Sequence, residues 1–224
     1  MRYLIILLLL CTIKSRLTAQ TFQFARAGYV TYDRIIGKKM QGANKKEYAL
    51  QFNEKSCSFQ AIQSADDHPY RLTDMVFSRE NSTRTFHISL RFSTQKFLIR
   101  DSLERIKWYY TNEFRSIDGY QCRRINGLTA DSLYVIAFYT EEIPVESGPC
   151  LISDTPGLVL GLVIPDLNIQ YWAKEVLLKE YKIPPIRHER KGTISLNGFS
   201  EVIQQSSYNV SQLSKKNIIH TIIY

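Results

Sequence analysis

The 224-residue sequence lacks any apolar run long enough to cross a bilayer. Its longest, Tyr3–Leu10, holds eight residues, whereas a spanning helix needs about 20. Ten Gly and seven Pro are too few for a collagen-like or low-complexity chain. No Gly-rich phosphate loop, no G-x-S-x-G elbow and no H-E-x-x-H pair occurs, so the common signatures of nucleotide, acyl and zinc-peptidase chemistry are missing. His is scarce and scattered: His68, His87, His188 and His220. His87 falls in an alternating strand pattern and His220 in a basic tail, so neither suggests a ligand pair. Asp66-Asp67-His68 carries donor types a divalent ion accepts, but as a short loop cluster it reads as a solvated acidic tip. His188-Glu189 would point to opposite faces of a strand and reads as surface. No catalytic, metal or cofactor site is therefore assigned.

What is present begins with targeting. Met1-Arg2, the apolar block to Leu10 and Leu17-Thr18-Ala19 have the order of a secretory signal peptide, with cleavage expected before Gln20. Cys11 follows Leu8-Leu9-Leu10, where a lipoprotein peptidase would need a small residue, so ordinary cleavage is favoured over lipidation. The expectation is an exported protein, periplasmic or outer-membrane associated, with residues 1–19 removed and 20–224 as one domain. Beyond residue 19 the chain keeps 26 of its 29 bases against 21 acids, a modest excess that gives no sign of a nucleic-acid surface. It has no membrane-spanning segment there.

Hydrophobic residues make up 44% of the chain and aromatics 12%, enough for a substantial core. β-branched and aromatic residues recur in short alternating runs. Gly28–Ile36 with Glu47–Asn53, Thr85–Phe92 with Gln95–Asp101, and Ile106–Phe114 with Tyr120–Ile125 read as hairpins. Cys57–Ile62 continues the sheet. Asp66–Asn81 reads as loop with a helical turn. Ser132–Thr140 is apolar at nearly every position and predicts a central strand covered on both faces. Leu158–Ile164 is another apolar strand. Residues 168–178 fit helical spacing and a strand equally, and the β context favours the strand. A short helix is expected at Phe199–Gln205 after an Asn197-Gly198 turn. The fold expected is mainly β, a single antiparallel domain of about ten strands.

Three cysteines lie beyond the leader: Cys57, Cys122 and Cys150. Export favours one disulfide, and Cys57 with Cys122 would close a loop worth about 4 kcal/mol on the chain-entropy estimate. Two buried free thiols remain the alternative, since spacing does not fix connectivity. Asn81-Ser82-Thr83 and Asn209-Val210-Ser211 match N-glycosylation acceptors, and Asp101-Ser102-Leu103 and Asp131-Ser132-Leu133 resemble bacterial O-glycosylation acceptors. Tripeptides this short arise by chance.

The densest signal runs from Ile117 to Ile164. It comprises I-x-G-Y-x-C at Ile117–Cys122, Ala137–Thr140, Glu142-Ile143-Pro144, Gly148-Pro149 and the hexapeptide Asp154-Thr155-Pro156-Gly157-Leu158-Val159. In order and spacing this resembles the GLPGLI family of Gram-negative envelope proteins, although Cys150 and Asp154-Thr155 depart from its pattern. The resemblance implies an exported protein of unknown activity, often encoded near TonB-dependent outer-membrane receptors, with one such receptor as its expected partner. By analogy it implies a curved sheet or half-barrel like that of lipoprotein carriers such as LolA. Gly119, Tyr120, Gly148, Pro149, Pro156, Gly157 and Leu158 read as turn formers, with Pro presetting φ and Gly accepting positive φ at the next position. Three functions follow: a non-enzymatic accessory of outer-membrane transport with exposed aromatic anchors, which is favoured; a carrier of an apolar ligand lined by Trp108, Tyr110, Phe138 and Trp172; and an envelope hydrolase.

Overall fold

The computed structural model describes residues 26–37, 45–62, 72–181, 183, 192–206, 219–220 and 222–224. The expected leader, the clusters around His68 and His188, and Asn209-Val210-Ser211 lie outside the described residues. Among these residues twelve strands and one α-helix follow in order, with a 3-10 turn between the tenth and eleventh strands. They are β1 (Ala27–Ile36), β2 (Lys45–Asn53), β3 (Ser56–Ala61), β4 (Leu72–Glu80), β5 (Thr85–Phe92), β6 (Gln95–Ser102), β7 (Lys107–Ile117), β8 (Tyr120–Leu128), β9 (Tyr134–Thr140), β10 (Leu158–Ile164), β11 (Ile169–Leu177), β12 (Thr193–Ile194) and α1 (Leu196–Gln205). All twelve strands join one sheet, in the spatial order β12-β6-β5-β4-β3-β2-β1-β11-β10-β9-β8-β7. Two meanders thus meet where β1 pairs antiparallel with β11, and only the β12–β6 pairing is parallel.

Three contacts show how strongly the sheet curves. β4 and β7 stand eight places apart, about 38 Å in a flat sheet at ~4.8 Å per strand. Yet Arg79 on β4 donates to the Ile152 carbonyl, and the Trp108 indole on β7 donates to the next carbonyl, Ser153, at 2.9 Å. Across the other face, Arg115 on β7 lies 4.3 Å from the ring centroid of Trp172 on β11, four places away, about 19 Å if flat. The sheet is therefore a trough wrapped around residues 141–157, which connect β9 to β10.

The inner face follows the period-2 pattern. Val30 and Tyr32, Leu50 and Phe52, Cys57 and Phe59, Ile88 and Leu90, and Val135, Ala137 and Tyr139 alternate inward and are buried. Ile143, Val145, Leu151 and Ile152 of the connecting loop join the same core. Two elements correct the sequence reading. Leu72–Glu80 is a strand rather than loop, because Leu72, Phe77 and Arg79 turn inward around a bulge at residues 73–76, where Asp74 adopts φ +53°. The strand covered on both faces is β10, while β9 leaves Tyr134 exposed. The outer face of β10 at Gly161 is covered by Trp172 and by Ile117 from the β7–β8 hairpin.

Residues 169–177 do form a strand. Pro165–Leu167 makes a 3-10 turn that ends at Asn168 in the left-handed region, φ +52°, and aims β11 back along β10. Helix α1 starts earlier than expected. Ser195 caps it by accepting from the Gly198 N–H, so Asn197-Gly198 forms its first turn. Its Phe199 packs against Phe92 and Phe97.

Candidate docking edge and the loop behind it

The motif residues lie where the trough is filled. Asp118 (φ +47°) and Gly119 (φ +83°) form the two-residue turn of the β7–β8 hairpin, a type I′ arrangement that needs positive φ at both positions. Tyr120 follows, half-buried, and the Gln121 N–H donates to Glu142 at 3.0 Å. At the other two motif glycines the expectation is corrected: neither Gly148 nor Gly157 has positive φ, and the left-handed residues are Cys150 and Asp154, both at +60°. These glycines permit close approach instead. A Cβ on Gly157 would sit 2.1 Å from the Thr140 carbonyl oxygen, and one on Gly148 would sit 2.8 Å from the Val159 Cβ. Pro149 is buried beside Cys150, Pro156 is exposed, and Leu158 is fully buried, paired with Thr140 and bridged to Ser147.

Polar contacts fix the loop from several strands. Arg79, 3% exposed, donates to the carbonyls of Ile152 and Glu146 and to Asn81 Oδ1. Arg84 grips Asp154 through two hydrogen bonds, at 2.7 and 3.1 Å, and the Ile106 N–H adds a third at 3.2 Å. Burial raises the Asp154 pKa, but these donors outweigh it and hold the carboxyl below its ordinary range. The Tyr32 hydroxyl donates to the Val159 carbonyl at 2.7 Å.

The disulfide considered between Cys57 and Cys122 is not made: Cys57, Cys122 and Cys150 are free, buried thiols. Cys57 is on β3 and Cys122 on β8, six places apart in the sheet rather than on neighbouring strands. Burial pushes the Cys122 and Cys150 thiols up to about 12. Nor do the four aromatics considered as a carrier lining converge. Trp108 donates to the loop and Tyr110 lies exposed beside Tyr139 on the inner face, whereas Phe138 and Trp172 pack against each other on the outer face, centroids 5.4 Å apart. His87 is buried on β5. His220, in the basic tail, is 5% exposed and paired with Asp131. Among the described residues, no three His, Cys, Asp or Glu side chains are grouped to hold a metal ion, and no helix is long and apolar enough to cross a membrane.

The most exposed aromatics gather on β7. Tyr109, Tyr110 and Phe114 are 51%, 54% and 57% exposed, and β7 is the last strand of the sheet, with no neighbour beyond it among the described residues. The opposite edge is short and covered, since β12 holds two residues and α1 packs on β6. Register places Tyr110 opposite Ile125 and Phe114 opposite Arg123, on the inner side. There Arg123 lies 5.4 Å and 6.0 Å from the two ring centroids. Tyr109 faces outward beside Lys107, whose ammonium lies 5.2 Å from its ring, and next to exposed Leu128 and Tyr134. A bulge between Tyr110 and Phe114, fixed by Thr111 Oγ1 donating to the Arg124 carbonyl and Arg123 Nε donating to the Thr111 carbonyl, divides the edge into two free segments. Each segment thus presents unpaired backbone between an aromatic on one side and a cation nearby. A run of alternating exposed aromatics was the signal available in the sequence, but which strand would be an edge was not.

No protein-family model matches the chain, and none of the curated proteins does. Among solved structures, PNGF-II is similar in two crystal forms, P21 and C2, with TM-scores of 0.57 and 0.59 at 16% identity. The likeness covers 81% of this chain and 34% and 33% of those chains. A LolA superfamily protein from Nitrosomonas europaea aligns over 70% of this chain and 88% of its own at 8% identity, with a TM-score of 0.35. The chain spans about a third of the length of PNGF-II, and what it shares with that protein is the fold.

Proposed function

We propose that the chain is a non-enzymatic, exported envelope protein that acts by docking an extended segment of a partner along β7. The partner in this reading is an outer-membrane transport receptor, the class implied by the motif resemblance in residues 117–164. The observation that carries the reading is the pairing of an open strand edge with exposed aromatics on both of its faces. Natural proteins blunt such edges unless they are used. A strand added there would gain backbone hydrogen bonds, and its alternate side chains would meet Tyr110 and Phe114 on one face and Tyr109 on the other. Strands β7 and β8 carry Lys107, Arg115, Arg123 and Arg124 against Glu113, so the segment that fits is acidic.

A photo-crosslinking residue at position 109 or 114, expressed in the native envelope, tests this directly. Both positions are expected to label the same receptor, and a crosslinker at Gln95, at the far end of the sheet, is expected to label nothing. Replacing Tyr110 and Phe114 together by Ala should weaken the complex about tenfold or more. Equal labelling at Gln95 and Phe114, or an unchanged affinity of the double variant, would refute the reading.

A further inference from the structure

At one end of the trough, β5 and β6 face the start of β7 and the end of β8 across Leu151 of the 141–157 loop. A cavity of about 410 Å³ lies there, between β5–β6, the β6–β7 connection, the β8–β9 loop, the start of α1 and the chain around 219–224. We infer that this cavity is a second binding site, for a small amphipathic cation whose apolar body is buried and whose amine sits near the mouth.

Its size is that of a small-molecule site, at the lower end of the usual range. At ~30 Å³ for a water-sized group it has room for roughly a dozen. Its floor is apolar: Phe86, Leu103, Ile106, Leu151 and Leu196 line it, with Ile223. Phe86, Leu103, Ile106, Leu151 and Leu196 are otherwise buried, so these side chains present a core-like surface to the space.

Charge sets the class of ligand. Asp101, Glu104 and Asp131 line the cavity, His220 is the one ionisable base among its described lining residues, and neither Lys nor Arg appears there. Two of these carboxylates are already held. Asp131 accepts from Thr129 Oγ1 at 2.6 Å and is paired with His220. Asp101 accepts from the Leu196 N–H at 3.2 Å and from the Ser102 N–H at 2.9 Å. Glu104 is exposed at the mouth. Burial raises the pKa of the Tyr224 hydroxyl, and Cys150 and then Asp131 and Glu104 raise it further, so the two cavity carboxylates act on the protein's own groups too. A ligand carboxylate would meet that repulsion, while an amine beside Glu104 would gain a charge-assisted hydrogen bond with its tail on the apolar floor.

Three probes with one tail decide the matter: octylamine, 1-octanol and octanoate, titrated calorimetrically into the purified chain at neutral pH. Octylamine is expected to bind one-to-one, about tenfold more tightly than octanol, the equivalent of one hydrogen bond to a charged group, and octanoate more weakly than either. Glu104→Gln, at an exposed position that leaves the core untouched, should remove most of the advantage of the amine and leave octanol unchanged. Ile223→Trp should fill the space and abolish binding of both. Equal affinity for octylamine and octanol, tighter binding of octanoate, unchanged amine affinity in the Gln variant, or no binding to a chain with native circular dichroism would each overturn the inference.

Discussion

Adding one methyl group at Gly157 separates two explanations of a motif glycine. The sequence alone suggests that Gly157 follows Pro156 because a turn needs positive φ, whereas the structure has it in an ordinary region with its α-carbon pressed on the Thr140–Leu158 pairing. An alanine Cβ would stand 2.1 Å from the Thr140 carbonyl oxygen and 3.2 Å from that of Ile143. Both obstacles are backbone, so relief means opening the start of the β9–β10 ladder. Overpacking typically costs 1–3 kcal/mol, and with backbone on both sides Gly157→Ala should cost about 3 kcal/mol or more. For a chain of this size that lowers Tm by roughly 6–12 °C. Gly119 is the contrast: nothing lies within 4 Å of its virtual Cβ, and φ is +83°. There Ala should cost about 1–2 kcal/mol, and Asn, which visits the left-handed region readily, should cost less than Ala. At Gly157, Asn should be at least as damaging as Ala. Urea unfolding followed through Trp108 and Trp172, which sit on opposite faces of the sheet, reads both series. A Gly157→Ala stability within about 1 kcal/mol of the parent, or an Asn variant milder than Ala there, would refute the close-approach argument.

Other consequences can be checked as readily. Arg79→Met leaves the carbonyls of Ile152 and Glu146 without their buried donor and should destabilise by about 3–5 kcal/mol, read as a shift in urea midpoint at unchanged m. Because the Asp154 carboxyl is held below its ordinary range, its contribution is present above the unfolded carboxylate pKa, about 3.9, and is lost as pH falls through the lower folded value. An acid titration of stability should therefore lose part of its slope in Asp154→Asn. Cys57, Cys122 and Cys150 should be silent to a thiol reagent in the folded chain and all react in urea, with no mass difference between oxidising and reducing preparations. A mass two units lower without reductant would mean that a disulfide forms.

Much of the architecture was legible from local pattern. The β1–β2, β5–β6 and β7–β8 hairpins follow from alternation and from turn residues such as Asp118-Gly119, whose conformational demands are local. Strand β4 was missed because its inward residues include Arg79, a charge whose partners lie 67 and 73 residues away. β10 was not recognised as the strand covered on both faces because its cover comes partly from Trp172, opposite Gly161 on neighbouring β11, and partly from Ile117 on β7, which reaches it only when the sheet curls. The disulfide expectation failed for a related reason. It assumed that β3 and β8 were neighbours, and the return of β11 to β1 separates them. The docking edge was half visible: Tyr109, Tyr110 and Phe114 stand out as aromatics, but exposure is decided by which strand comes last, a property of the whole sheet. The sequence places His220 in a basic tail after Lys215-Lys216, and its pairing with Asp131 from the β8–β9 loop, 89 residues earlier, is a contact that no local pattern shows.

The way the trough is filled also sets an order of events. Strands β1 to β6 are complete by residue 102, but their inner face is covered by residues 141–157, and β1 finds its second neighbour only when β11 is formed by residue 177. A chain emerging from its N-terminus therefore shows an uncovered apolar face and an open strand edge for the whole length between those points. Such contacts between distant residues close late and leave intermediates prone to association. The first meander is a structure waiting for its own interior, and a chain cut short before residue 141 should associate more readily than one that includes residues 141–177.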